Sequence, residues 1–171
     1  DRRAGGEPEY VHLSAWEDLD DDSEAELAHR AARWLLARLH GDASVRVYHY
    51  SNFEAVRLRQ LAARTGDPVL TELCDHIESH FVDLYAVVRQ GLQVGEESYS
   101  LKRLERHHGF VRTENTVRAG GGAIATYERW RETREPTLLD AIRDYNCEDC
   151  ESTRSLHHWL HERMLPEAER Q

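Results

Sequence analysis

The order of hydrophobic and polar positions predicts that most of the chain is helical. Apolar residues recur at spacings of three and four, which places them on one side of a helix. The first such segment opens with Ser23 and Glu26, the pattern of a capping box, and stops at Gly41. The predicted helices cover residues 23–41, 53–66, 67–77, 100–107, 123–133 and 137–164.

Two segments have the character of β-strands. Residues 10–16 alternate between apolar and polar side chains, and residues 45–50 form a β-branched and aromatic run. The strand and helix order of the first part predicts an α/β fold, followed by a helix-rich C-terminal half. Two strands are few for an α/β sheet, so we expect this chain to lack the first strands of its fold. Gly120, Gly121 and Gly122 are predicted to form a flexible hinge or a loop.

The last predicted helix carries a carboxylate in its apolar stripe. The stripe consists of residues that share one helix face: Leu138, Ile142, Tyr145, Leu156 and Leu160. Asp149 lies on the same face, one turn after Tyr145. A buried carboxylate is costly unless it meets a cation or a hydrogen-bond donor. A divalent metal ion would offset that cost, and so would an arginine.

Composition and charge limit the function classes. The chain has 171 residues, enough for one domain, which we take as residues 1–171. No apolar run is long enough to span a membrane and no signal peptide is evident, so we expect no membrane partner. Three cysteines form no disulfide framework, which favours the cytoplasm.

The charge is unevenly distributed along the chain. A formal net charge of -10 disfavours a protein that binds nucleic acid over its whole surface. Cationic residues are nevertheless concentrated in one region: Lys102, Arg103, Arg106, Arg112, Arg118, Arg129, Arg131 and Arg134. This region could contact a phosphate backbone or simply be a solvated surface.

Three segments occur in an order and spacing that are more specific than any of them alone. They are Tyr48–Glu54, then Asp83-Leu84 with Ser100-Leu101-Lys102 and Gly109, then Tyr145–Asp149. Together they resemble the DEDDy exonucleases, which have a ribonuclease H-like fold. Within that class the chain is most similar to the YprB-type ribonuclease H-like domain of RecB-like nucleases. The resemblance covers roughly residues 7–160.

The resemblance implies a metal-dependent 3′–5′ exonuclease of DNA or RNA, with two Mg²⁺ or Mn²⁺ ions as cofactors. Glu54 and Asp149 would be metal ligands, and the Tyr145 hydroxyl would orient the attacking water. Lys102, Arg103 and Arg106 would contact nucleic acid. The parent protein would be a larger nuclease with a helicase or RecB-like part, acting in DNA repair.

The chain departs from the family pattern at the first motif. Asp-x-Glu on the first strand should supply two of the four metal ligands, and these 171 residues contain no suitable copy. We expect either a truncated piece or a degenerate domain, so enzyme activity stays open. The alternative is a non-catalytic nucleic-acid or partner-binding domain. Tyr145 could then be a core aromatic residue and Glu54 a first-turn helix acid, while Asp83 is taken as structural.

A zinc-stabilised helical module is a third hypothesis. Cys147 and Cys150 are followed by His157, His158 and His161. On one helix Cys147 and His161 would lie about 21 Å apart, so one ion could not bind both. A zinc site there would need partners from elsewhere in the chain, for example Cys74 or His107.

Overall fold

The computed structural model describes residues 8–16, 20–113, 117 and 122–164. These residues divide into two compact units. The sheet unit contains the described residues of Leu13–Tyr99, and the long-helix unit contains those of Asp1–His12 and Ser100–Gln171. Most of the described residues are helical.

A small parallel sheet lies in the sheet unit. Strand β1 pairs with β2 in a register that sets Val47 opposite Phe81 and His49 opposite Asp83. Helices connect the two parallel strands, as a parallel crossover requires. The elements in chain order are α1 Asp21–Gly41, β1 Val47–His49, α2 Phe53–Thr65, α3 Pro68–Asp75, α4 Ile77–His80, β2 Phe81–Asp83 and α5 Leu84–Gly91. This arrangement is compatible with an α/β fold.

The core of the sheet unit is built where α1, α2 and α3 meet. Its apolar side chains follow the helical spacing of the sequence, so each helix buries one face. The buried members of the cluster are Ala32, Leu36, Leu39, Leu61, Leu70 and Leu73. Partly buried Val47 and Phe81 pack against this cluster, so the helical core also supports the two strands.

The helix boundaries show which local rules hold. Helix α2 ends at Gly66, whose φ of +66° is the left-handed conformation that glycine adopts without strain. The capping box predicted at Ser23 and Glu26 is wrong. Asp20 is the N-cap, and its carboxylate accepts the Ser23 N–H at 2.8 Å. An acid one turn earlier offers the same capping chemistry, so the helix starts sooner.

The strand prediction is half correct. Residues 45–50 contain β1, although the strand is shorter than expected. Residues 10–16 were expected to form a strand, and this is wrong because they have no regular secondary structure. Alternation of apolar and polar residues does not by itself form a strand, because the backbone groups of a strand need a hydrogen-bonding partner. Within the described part of the chain, residues 10–16 have no such partner strand. The partner of β1 is the unpredicted strand Phe81–Asp83.

Asp83 has the structural role that was expected. Its Oδ1 accepts the N–H groups of Tyr85 and Ser51, both at 2.9 Å. It thereby caps α5 and fixes the turn that follows β1.

The long-helix unit contains α6 Leu101–His108, α7 Ala123–Thr133 and α8 Pro136–Met164. The predicted bounds of these helices are confirmed to within one residue. Helix α8 packs against both α6 and α7. Gly122 precedes α7 with a φ of +110°, whereas Gly120 and Gly121 of the predicted loop lie outside the described residues. None of the described helices is long and apolar enough to cross a membrane.

Candidate functional site

Helix α8 presents the Tyr145 and Asp149 pair on the predicted face. Leu138, Ile142, Leu156 and Leu160 are buried, as the pattern predicted. Tyr145 is half-buried, and the Asp149 side chain is 40% exposed. The stripe is therefore partly open to solvent at Tyr145 and Asp149.

A buried arginine meets this carboxylate. The Arg112 side chain is 2% exposed, and its Nη2 lies 2.6 Å from Asp149 Oδ1. Arg112 Nε and Nη2 also donate to Glu105 Oε1 at 2.7 and 2.5 Å. Ser152 Oγ donates to the same Glu105 oxygen at 3.0 Å. We call Arg112, Glu105, Asp149 and Ser152 the Arg112 cluster.

The two carboxylates of the Arg112 cluster stabilise the positive charge of Arg112. Burial lowers the pKa of the Arg112 guanidinium, but hydrogen bonds with Glu105 and Asp149 outweigh burial and raise that pKa above its usual value. Arg112 therefore stays a cation although it is buried. Of the two partners expected for Asp149, the arginine is confirmed. Arg112 contacts Oδ1 of Asp149, and a metal ion would need the other carboxylate oxygen. The metal role of Asp149 therefore stays a prediction.

Glu148 forms a second buried contact beside this cluster. Its Oε1 accepts the Thr113 N–H at 2.8 Å and also the Thr113 hydroxyl. The contact fixes the segment after α6 on α8. Three buried polar atoms, Glu148 Oε2, Arg112 Nη1 and His108 Nε2, have no hydrogen-bond partner among the described residues.

Helix α6 adds an exposed basic face. Leu104 and Glu105 are buried on one side of α6, while Lys102, Arg103 and Arg106 are exposed. Lys102 Nζ lies 4.9 Å from the centre of the Tyr145 ring, and Arg112 Cζ lies 5.4 Å from it. Both distances are within the range of cation–π contacts. The predicted nucleic-acid residues therefore adjoin Tyr145, although contact with nucleic acid stays a prediction.

Glu54 belongs to the sheet unit. It lies in the first turn of α2, just beyond the carboxyl end of β1, and its side chain is 52% exposed. Its Oε2 is 3.8 Å from His49 Nδ1, and that nitrogen is 2.6 Å from the Ser51 carbonyl oxygen. An acid in a first helical turn is also favoured by the helix dipole. Since Glu54 and Asp149 belong to different units, their meeting at one metal site stays a prediction.

The carboxylates of Glu54 and Asp149 have the oxygen ligands that Mg²⁺ prefers, but there are too few of them for a two-ion site. Hard oxygen ligands are those that Mg²⁺ and Mn²⁺ prefer, but two carboxylates are too few to hold two ions. Among the described residues, one group of three potential ligands lies within reach of a single ion, and it includes neither Glu54 nor Asp149. We therefore derive no catalytic step through a metal.

The alternative zinc site on α8 is not assembled by the residues that the structure describes. Cys147 and Cys150 are free thiols, and burial raises the pKa of both. They belong to no three-ligand group in the described ranges. Cys147 and His161 also lie on one continuous helix, as expected.

Sequence reasoning missed most of the Arg112 cluster and the buried Glu148 beside it. Glu148 and Ser152 are buried polar residues in a stripe that was interpreted as apolar around one acid. Glu148 follows Tyr145 by three positions and Ser152 follows Asp149 by three, and this helical spacing was visible in the sequence. Arg112 was counted among the basic residues, but nothing local distinguishes it from its exposed neighbours.

The sequence profile of the RNase H superfamily matches residues 8–161, and the chain belongs to this superfamily. Comparisons with curated proteins and with solved structures give no significant match. The ribonuclease H-like resemblance is thus confirmed at the level of the superfamily. Membership indicates a nuclease-type function related to nucleic acid. RNase H-like nucleases typically use divalent metals.

We predict that Arg112→Met strongly destabilises the protein. Removing the guanidinium leaves the Glu105 carboxylate buried without its cation, which costs about 3–5 kcal/mol. Chemical denaturation should measure this loss. Arg143→Met is the matched control, because Arg143 is 39% exposed and pairs with Asp140 on the surface of α8. It should cost less than about 1 kcal/mol, and equal losses for both variants would contradict the buried ion pair.

We also predict a pH-dependent contribution from His108. Its Nδ1 lies 3.0 Å from Ser155 Oγ, and burial lowers the pKa of its imidazole. As pH falls below about 6.5, the unfolded chain binds this proton before the folded protein does, so stability decreases. His108→Gln should remove this part of the loss, measured as the free energy of unfolding from pH 8 to pH 5. An unchanged slope for His108→Gln would refute the assignment.

Proposed function

We propose that this chain is part of a metal-dependent 3′–5′ exonuclease domain of the DEDDy type, acting on DNA or RNA. The observation that supports it most is the arrangement on α8 and α6. Tyr145 and Asp149 lie one turn apart, half-exposed, and Lys102 of an exposed basic helix face contacts the Tyr145 ring. A phosphate backbone on that face would bring its scissile bond toward these two side chains.

In the proposed enzyme, Glu54 and Asp149 are metal ligands and Tyr145 orients the attacking water. Bound Mg²⁺ or Mn²⁺ would supply an activated water and neutralise the charge on the leaving oxygen. Arg112 acts as a positioning residue, since it holds one oxygen of Asp149 and fixes the direction of the other. The two missing ligands would come from an Asp-x-Glu segment that these 171 residues do not contain.

We further propose the context of this domain. All 171 residues would belong to a single, truncated ribonuclease H-like domain of the YprB type. The larger protein would have a helicase or RecB-like part and a role in DNA repair. A cytoplasmic location is supported by free Cys74, Cys147 and Cys150, since disulfides are rare in reducing compartments.

The test uses the full-length gene product and single-stranded DNA or RNA labelled at its 5′ end. We expect Mg²⁺- or Mn²⁺-dependent shortening from the 3′ end, and Asp149→Asn should lower its rate at least about 100-fold. Loss of even an outer-shell partner of a metal ligand costs 10–100-fold, so loss of a ligand should cost no less. The 171-residue chain alone should be nearly inactive, because two carboxylates cannot hold both ions.

Two further variants separate chemistry from folding. Asp140→Asn changes an exposed carboxylate of the same helix, which pairs with Arg143, and it should keep parental activity. Tyr145→Phe should lower kcat with an unchanged fold if the hydroxyl orients water. If Tyr145 is only a packed aromatic residue, kcat should stay the same. Activity that survives Asp149→Asn would remove Asp149 from the metal site.

The ion pair of Asp149 with Arg112 favours a second candidate, a non-catalytic nucleic-acid-binding domain. In that case Asp149 serves the buried cluster, and the exposed face of α6 is the functional surface. Full-length protein that binds nucleic acid but never cleaves it would support this candidate over the exonuclease.

Binding itself is predicted to depend on the basic face of α6. In the 171-residue chain, joint replacement of Lys102, Arg103 and Arg106 by Gln should weaken binding to oligo-dT. The slope of log K against log salt should fall by about 2, because each phosphate contact on a single strand contributes roughly 0.7. Fluorescence anisotropy at several salt concentrations measures this slope. The control replaces three other exposed arginines by Gln: Arg129 and Arg131 of α7 and Arg134 at its C-cap. An equal effect there would indicate non-specific attraction.

A further inference from the structure

Three potential metal ligands converge at one end of the sheet unit. They are His40 in the last turn of α1, Glu72 in α3, and His76 at the C-cap of α3. One ligand atom from each lies within 4.8 Å of the other two. His40 Nε2 and Glu72 Oε1 are already 3.1 Å apart.

The core of the sheet unit places these residues together. Leu39 and Leu73 are both buried in the cluster where α1 packs on α3. Each is the immediate neighbour of a ligand, because His40 follows Leu39 and Glu72 precedes Leu73. The two ligands therefore emerge at the rim of the same packed contact.

The backbone of α3 brings the third ligand to the same side. Glu72 and His76 are four residues apart, which places them one above the other on a helix. His76 keeps nearly helical dihedrals, with a φ of -85° and a ψ of -10°, so this relation extends through the C-cap. The His76 ring also contacts the rings of His40 and His80 edge-on, with centroids 5.7 and 5.3 Å apart.

His80 gives the His76 ring a fixed neighbour. His80 Nδ1 lies 3.0 Å from the Val45 carbonyl oxygen, which has no proton, so the imidazole nitrogen is the donor. This bond orients the His80 ring, against which the His76 ring rests. The position of His76 is therefore restrained by its surroundings.

The donor set matches Zn²⁺ better than Mg²⁺. Two imidazoles and one carboxylate are a known three-ligand zinc set, in which water takes the fourth position. Imidazole nitrogen suits zinc, whereas Mg²⁺ prefers oxygen. Tetrahedral zinc with bonds near 2.1 Å needs ligand atoms about 3.4 Å apart. The His40 and Glu72 side chains are 54% and 49% exposed, so small rotamer changes are free to close the set.

We propose that His40, Glu72 and His76 form a Zn²⁺ site that links the end of α1 to the end of α3. Without a metal, the exposed His40–Glu72 pair contributes little to stability. With zinc, three protein ligands would join the two helices whose packing forms the core. The site is independent of the proposed exonuclease chemistry, which uses oxygen ligands at Glu54 and Asp149.

The test is zinc binding by the 171-residue chain, measured by calorimetric titration with Zn²⁺ at pH 7.5. One equivalent should bind, and saturating Zn²⁺ should raise Tm by about 5 °C, because a ligand that binds only the folded state stabilises it. His40→Gln and His76→Gln should each weaken binding at least about 100-fold, since each removes a direct ligand. Glu72→Gln should also weaken it, and it is the more conservative change. Circular dichroism without zinc checks that each variant is folded.

Controls exclude binding by other histidines and acids. Glu78→Gln changes a 92% exposed acid in the same unit, and it should leave zinc affinity unchanged. The double variant His157→Gln with His161→Gln removes a histidine pair on α8 and should also retain the affinity. The proposal is overturned if the parent chain binds no zinc at millimolar concentration, if the ligand variants bind as the parent does, or if only the α8 variant loses binding.

Discussion

The contact between Arg112 and two carboxylates is the interaction on which the long-helix unit depends. A guanidinium with only 2% of its side chain exposed is stable only where acids surround it. Glu105 of α6 and Asp149 of α8 provide those acids, and Ser152 completes the hydrogen bonding of Glu105. Because one arginine joins both helices, the packing of α6 on α8 is specified by charge as well as by apolar burial.

This contact also links stability to the candidate site. Two cations lie close to the Tyr145 ring, exposed Lys102 and buried Arg112, and Asp149 lies one turn away. A divalent metal on Asp149 would have to bind beside the positive charge of Arg112. Glu105 reduces that repulsion, because its carboxylate also pairs with the Arg112 guanidinium and offsets its charge. The buried acid thus allows one arginine to hold Asp149 in place without surrounding it with uncompensated positive charge.

Local sequence rules predicted the elements that depend only on local interactions. Helix α7 and helix α8 were predicted to within one residue because apolar spacing and Pro136 define them without reference to other segments. The strand prediction for residues 10–16 was wrong because a strand depends on a distant partner. Alternation of apolar and polar residues does not provide that partner. Strand β2 was missed for the same reason, since three residues become a strand only beside β1.

In the candidate site too, the features that depend on one helix were predictable and those that depend on distant contacts were not. The shared face of Tyr145 and Asp149 follows from the period of a single helix, so the sequence was sufficient. The pairing of Asp149 with Arg112 joins residues 37 positions apart, and Arg112 lies in a short described stretch, 110–113, without regular secondary structure. No periodicity therefore encodes the pairing. The sequence predicted an arginine as one partner for Asp149 but did not indicate which arginine. Its identity depends on how α6 and α8 pack.

The two candidate metal sites differ in the chemistry they select. Glu54 and Asp149 offer oxygen only, which favours Mg²⁺ or Mn²⁺, whereas His40 and His76 offer imidazole, which favours Zn²⁺. Zinc binds most mixed sites more tightly than magnesium, so a nuclease site risks occupation by the wrong ion. The proposed imidazole site would not prevent this, because free zinc fills each independent site according to that site's own affinity. On the zinc proposal, the metal at the rim of the helical core strengthens the fold, and its imidazole ligands have little affinity for the Mg²⁺ of the proposed exonuclease.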